Sequence, residues 1–174
     1  AAAVTVTGTG VGTVIIDVTI EDADGCKSTA QHNITVNPIP TAAIGGAASL
    51  TICDAGMLSL DGVPGFVAPA TSITTHAWTL TPGTGAGNLS ATNLEDPTFT
   101  ATAPGTVTVT YQVTDNNGCM STVASKTITV TPLPTSGPIT GTNSICHGAT
   151  TTLNGNPAGG SGTFTGGSSA HAWT

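Results

Sequence analysis

The ten residues Val113 to Thr122, "VTDNNGCMST", decide how this chain is organised, because "TIEDADGCKST" (Thr19 to Thr29) carries nearly the same phrase earlier. Cys26 and Cys119 stand 93 positions apart. Outward from them the correspondence continues. "GTVIIDVTI" from Gly12 matches "GTVTVTYQV" from Gly105 at the same offset, and "ITVNPIPT" from Ile34 matches "ITVTPLPT" from Ile128 at 94. Ile52-Cys53 returns as Ile145-Cys146 at 93, and "HAW" at His76 to Trp78 returns at His171 to Trp173 at 95. Landmarks that keep one order with a drift of two residues define a tandem repeat of about 93 residues.

The phases of the repeat divide the chain. Residues 1–37 read as the C-terminal part of one module, 38–131 as a complete module, and 132–174 as the N-terminal part of a further one. Neither partial module can close a core alone. The chain therefore reads as a window on a longer array, opening in mid-module. The other reading is a subunit whose end halves are completed by neighbouring copies, as in strand-complementation polymers.

Within the complete module the period is that of β-strands. Val107, Val109, Tyr111 and Val113 alternate with Thr106, Thr108, Thr110 and Gln112, which sends one face to a core and the other to water. The first copy keeps the pattern with Val14, Ile16, Val18 and Ile20. "DNNG" then makes a tight turn and "STVASKTITV" returns as the second arm of a hairpin. "MLSL" is an early strand and "HAWTL" a middle one bearing Trp78. About seven short strands in such a unit predict an immunoglobulin-like β-sandwich, so the fold class is all-β.

Composition agrees. Thr is about a fifth of the chain, aromatic residues are 3%, and no window sustains a helical apolar period. Charged residues are only 6%, and Lys27 and Lys126 are the sole basic side chains. Nucleic-acid binding, which depends on displacing counterions from phosphate, is excluded on that ground, and so is an anionic membrane surface. No apolar run approaches the roughly 20 residues that span a bilayer, so membrane insertion is not expected. "AAAVTVTGTG" reads as a strand without the basic start of a signal peptide.

The run from "IC" through a strand Trp to "GTVTVTYQVTDNNGCMST" and "ITVTPLPT" resembles the tandem Ig-like or PKD-like modules of giant secreted surface proteins of Bacteroidota, such as gliding adhesins. The resemblance covers essentially the whole chain and is most specific at "NGC.ST" and "P.PT". It implies an extracellular, cell-surface location and a structural or adhesive role without catalytic residues. Proteins of that family are often O-glycosylated at Asp followed by Ser or Thr. No Asp here precedes either residue, so the modification is not carried over.

Candidate chemistry is sparse. Each module carries one Cys at the start of its second strand (Cys53, Cys146) and one at its final hairpin (Cys26, Cys119). Regular spacing without a C-x-x-C pair argues for disulfides over zinc. In an immunoglobulin-like strand order the two positions fall at opposite ends of a sandwich, beyond the reach of about 7 Å between Cα atoms. A staple between adjoining modules is therefore favoured over Cys53–Cys119, and the pairing stays open. Asp22, Asp24 and Asp115 are spaced like alternate calcium ligands, but Asp-Gly and Asn-Gly are also hairpin-turn chemistry, the preferred reading. No metal or cofactor is expected.

His76 and His171 stand two residues before Trp78 and Trp173, hence on the same strand face, and are read as packing at a core edge. His147 beside Cys146 has no counterpart in the middle module. Asn33 and Asn88 open N-x-S/T sequons. No G-x-S-x-G elbow or phosphate loop with its Lys is present, so no enzyme is expected. The function expected is that of a structural repeat in an extracellular adhesin, stalk or filament. Its partners would be neighbouring modules and, if uncharged Thr faces pack laterally, other copies in a fibre. The alternative is a carbohydrate- or other ligand-binding module that uses residues around Trp78.

Overall fold

A computed structural model of the chain describes residues 3–160. Its strands in chain order are β1 (Gly12–Glu21), β2 (Lys27–Val36), β3 (Thr41–Ile44), β4 (Leu50–Cys53), β5 (Met57–Ser59), β6 (Gly62–Gly65), β7 (Ile73–Pro82), β8 (Ala86–Leu89), β9 (Thr98–Ala103), β10 (Gly105–Asp115), β11 (Ala124–Thr131), β12 (Pro134–Thr135) and β13 (Ala158–Gly159). No helix among the described residues is long and apolar enough to cross a membrane.

Residues 41–131 form a two-layer sandwich. One layer is the sheet β4-β11-β10-β7; the other is built from β3-β6 and β5-β9-β8. All pairings are antiparallel except β4 with β11, which is parallel. This is the immunoglobulin-like order, in which the first strand splits and feeds both layers.

The split occurs at Gly45-Gly46, where Gly46 has φ of 79°, a left-handed conformation that costs glycine nothing. Lys126 of β11 reaches across the break, its Nζ donating to the carbonyls of Ile44 at 2.9 Å and Gly45 at 2.7 Å. One of the chain's two cations is thus spent fastening the end of β3 and the break to β11.

The two-residue alternation of β10 places Val107, Val109, Tyr111 and Val113 in the core, where each is buried. Leu60, Phe99 and Ala101 meet them from the opposite layer, with Trp78, Ile128 and Val130 alongside. Each large side chain fully withdrawn from water contributes about 1.5–3 kcal/mol. An aliphatic core of this size, centred on one Trp–Tyr pair, compensates for the scarcity of aromatic residues.

The flanking segments rebuild parts of the same architecture. Strands β1 and β2, ten residues each, make an antiparallel hairpin, the counterpart of β10–β11. Strands β12 and β13 pair Thr135 with Ala158, which reproduces the pairing of Thr41 with Gly65 in β3–β6. The bond from the Thr140 amide to the Asn154 carbonyl, 2.8 Å, likewise repeats that from Gly45 to Asp61, 2.7 Å. The expectation that Val14, Ile16, Val18 and Ile20 line a core is corrected here. Val18 is 54% exposed and Ile20 64%, because among the described residues no second layer faces this two-stranded ribbon.

Candidate functional site

The hairpin turns show how the repeated phrase works. In "DNNGC" the Asp115 carboxylate oxygen Oδ1 accepts the amides of Asn117 and Cys119, both at 2.9 Å. In "DADGC" Asp22 Oδ1 accepts those of Asp24 at 3.0 Å and Cys26 at 2.8 Å. Backbone bonds close both turns alike, from the Gly118 amide to the Asp115 carbonyl and from the Gly25 amide to the Asp22 carbonyl, each at 3.1 Å. Gly118 and Gly25 both take positive φ, 79° and 83°. This is the three-residue hairpin turn with a glycine bulge.

This geometry places the three calcium candidates Asp22, Asp24 and Asp115 in the two hairpin turns. One oxygen each of Asp22 and Asp115 is engaged by backbone N–H groups, and Asp24 contributes its own amide to the turn. No group of three or more His, Cys, Asp or Glu is arranged to hold a metal ion among the described residues. Asp115 is 1% exposed and its Oδ2 is without a partner, which marks a buried carboxylate used as a turn clamp.

The cysteines are four free thiols. Cys53 closes β4 instead of opening a strand, and pairs in register with Thr131 at the end of β11. Cys119 lies beyond the other end of β11, in the turn that precedes it. The eight residues of β11 separate them, a distance of about 26 Å at the usual rise per residue. A Cys53–Cys119 bridge within the module is therefore sterically impossible. The two thiols face opposite ends of the sandwich.

Trp78 is 2% exposed, and its indole N–H donates to the Leu94 carbonyl at 2.9 Å. A sugar cannot stack on it without opening the sandwich, which removes the residue on which the ligand-binding alternative turned. His76 is half-buried, with Nδ1 2.7 Å from the Tyr111 hydroxyl and its ring stacked on the phenol at 6.1 Å. Burial, helped by the nearby Glu95 and Asp96 carboxylates, pushes the Tyr111 hydroxyl from its ordinary 10.0 up to about 12. His147 is exposed, as are the sequon residues Asn33 and Asn88. Trp173 and His171 lie outside the described residues.

The outer face of β7-β10-β11 carries rows of hydroxyls. Thr127, Thr108 and Thr81 stand side by side across the three strands, and so do Ser125, Thr110 and Thr79. Thr79 and Thr110 hydrogen-bond to each other through their hydroxyls. Sequence reasoning missed the Lys126 clamp and the core partners Leu60 and Phe99. The clamp joins residues about 80 positions apart, and no local period announces it.

No family model matches the chain, and no curated protein matches it. Among solved structures it is similar to the fibronectin(III)-like modules of Clostridium thermocellum CbhA, at 14% identity and TM-score 0.45, covering 73% of this chain and 66% of that one. It is similar to the PKD domain of the KIAA 1837 protein, at 24% identity and TM-score 0.42, covering 60% and 96%. It is also similar to the N-terminal eight Ig domains of Down Syndrome Cell Adhesion Molecule, at 16% identity and TM-score 0.47, covering 86% of this chain and 22% of that one.

Proposed function

We propose that the chain is a structural repeat segment of an extracellular surface protein, a stalk or filament of an adhesin akin to the gliding adhesins of Bacteroidota. One observation carries the reading. The same clamped turn is built at Asp22 and at Asp115, and the same first-strand pairing at Thr41 and at Thr135. A chain that spends its sequence rebuilding one scaffold is suited to span distance.

Modules 1–37, 38–131 and 132–174 would then be links joined by the Pro-rich joints "NPIP" and "TPLP". The opposed thiols Cys53 and Cys119 would staple each module to the one before and the one after. The low charge and the hydroxyl-covered face would permit lateral packing of stalks into fibres, since like-charge repulsion is slight.

Electron microscopy of the native, full-length material tests this. Beads spaced one per repeat along a thin string, or a regular fibre, are expected. Compact isolated particles would refute it.

A further inference from the structure

The outer face of the sandwich carries a lattice that its fold does not demand. Beside the hydroxyl rows of Thr108 and Thr110 lies a third, Thr51-Thr129-Thr106, shifted by one strand. Strand pairing sets neighbours in a row about 4.8 Å apart, and the pleat sets successive rows about 6.7 Å apart. β-branching restricts each Thr at χ1, and the bond between the Thr79 and Thr110 hydroxyls ties two neighbours together. The hairpin β1–β2 builds the same strands without this lattice. Ile15 pairs with Asn33 and Asp17 with Gln31, where Thr108 pairs with Thr127 and Thr110 with Ser125. These strands form with other residues facing outward, so strand propensity alone does not account for the rows.

The outward positions of β7, β10 and β11 hold no Lys, Arg, Asp, Glu or aromatic residue. The face therefore lacks the cations that hold phosphate and the aromatic and Arg anchors on which protein partners seat. It also lacks a ring on which a sugar could stack. What it offers is methyls and hydroxyls at a fixed two-dimensional repeat, which is a template for ordered water. We propose that this face binds ice. The repeat of its hydroxyls lies close to the oxygen repeat on the prism face of ice. Waters held by the Thr hydroxyls, with the methyls seated between them, continue the crystal lattice. Ice must then grow as a curved front between attached molecules, which lowers the temperature at which it advances. The inference goes beyond the stalk reading and does not depend on it.

The test grows a single ice crystal slowly in a solution of the fluorescently labelled 174-residue chain. The label should be taken up into the ice, and the crystal should become faceted, with a gap between its melting and growth temperatures. Thr108→Tyr and Thr127→Tyr, neighbours in one row, should each abolish uptake and the gap while circular dichroism shows the sandwich still folded. Thr100→Tyr is the control. It stands on the outer face of the opposite layer, where Thr100 alternates with the buried Phe99 and Ala101, and should leave both readouts unchanged. Exclusion of the native chain from the ice, as for an unrelated protein, overturns the proposal. So does full activity in both folded row variants, or a loss in Thr100→Tyr equal to theirs. Light scattering that shows copies associating through this face, with association lost in Thr108→Tyr and no uptake into ice, assigns the face to self-packing and overturns it too. None of these results bears on the stalk reading, which stands or falls on the microscopy of native material.

Discussion

Trp78 lies against Tyr111 with ring centroids 4.3 Å apart and planes 25° from parallel, and the pair occupies the centre of the sandwich core. Trp78 comes from β7 and Tyr111 from β10, directly opposite one another in the ladder. Stacked aromatic pairs contribute about 0.5–1.5 kcal/mol beyond their burial. Trp78→Ala removes the stack, the buried area and the bond to Leu94, so a loss of about 3–5 kcal/mol is expected. Urea titration followed by circular dichroism measures it, and a loss below 1 kcal/mol would contradict the packing described.

Tyr111 also makes the sandwich sensitive to alkali. Its hydroxyl titrates at an ordinary 10.0 when unfolded and near 12 when folded, so the folded state holds the proton more tightly. Below the ordinary value this group adds no pH dependence; stability declines as pH rises from about 10 to 12. Tyr111→Phe should flatten that decline, at the cost of leaving His76 Nδ1 without its partner at 2.7 Å. Unfolding midpoints across the alkaline range, compared between the two proteins, decide the point.

Asp115 should behave as a clamp. Asp115→Ala leaves two turn amides without their acceptor and is expected to cost about 1–3 kcal/mol. Asp115→Asn keeps an acceptor oxygen and removes a buried charge, so it should fall much closer to the native protein. Calcium should leave the melting temperature of all three unchanged. A stabilisation by calcium that Asp115→Asn abolishes would favour the metal reading over the turn.

Lys126→Met retains the aliphatic stem but removes the ammonium that binds the Ile44 and Gly45 carbonyls. A loss of about 1–3 kcal/mol is expected. Hydrogen exchange should locate the loosening at Thr41 to Ile44, with the amides of β10 staying protected. Uniform loss of protection would mean that the clamp is not local.

The thiols give a chemical readout of the topology. Oxidation of the monomeric chain, followed by peptide mapping, should yield no link between Cys53 and Cys119. Finding one would require β11 to detach from the sheet.

The inward row of β10 was legible from sequence because strict alternation of Val and Thr leaves one assignment of faces. The turns were legible because Asp, Gly and Cys recur at fixed spacing. The break of the first strand at Gly45-Gly46 was not, since the residues that stabilise it, Lys126 above all, act across the whole length of the module. Nor was the exposure of Val18 and Ile20. Their pattern is identical to that of Tyr111 and Val113, and pattern records which face is apolar without recording whether anything covers it.

The parallel pairing of β4 with β11 determines how the sandwich meets tension. Residues 50–53 lie beside residues 128–131, near the two ends of the module, and run in the same direction. When the ends are pulled apart, these strands slide past one another and their hydrogen bonds are loaded in shear, all at once. An antiparallel pair tethered at one end would instead unzip bond by bond. Stretched singly, the module should therefore yield in one abrupt event at a high force, and a gradual low-force extension would show that this patch is not the mechanical latch.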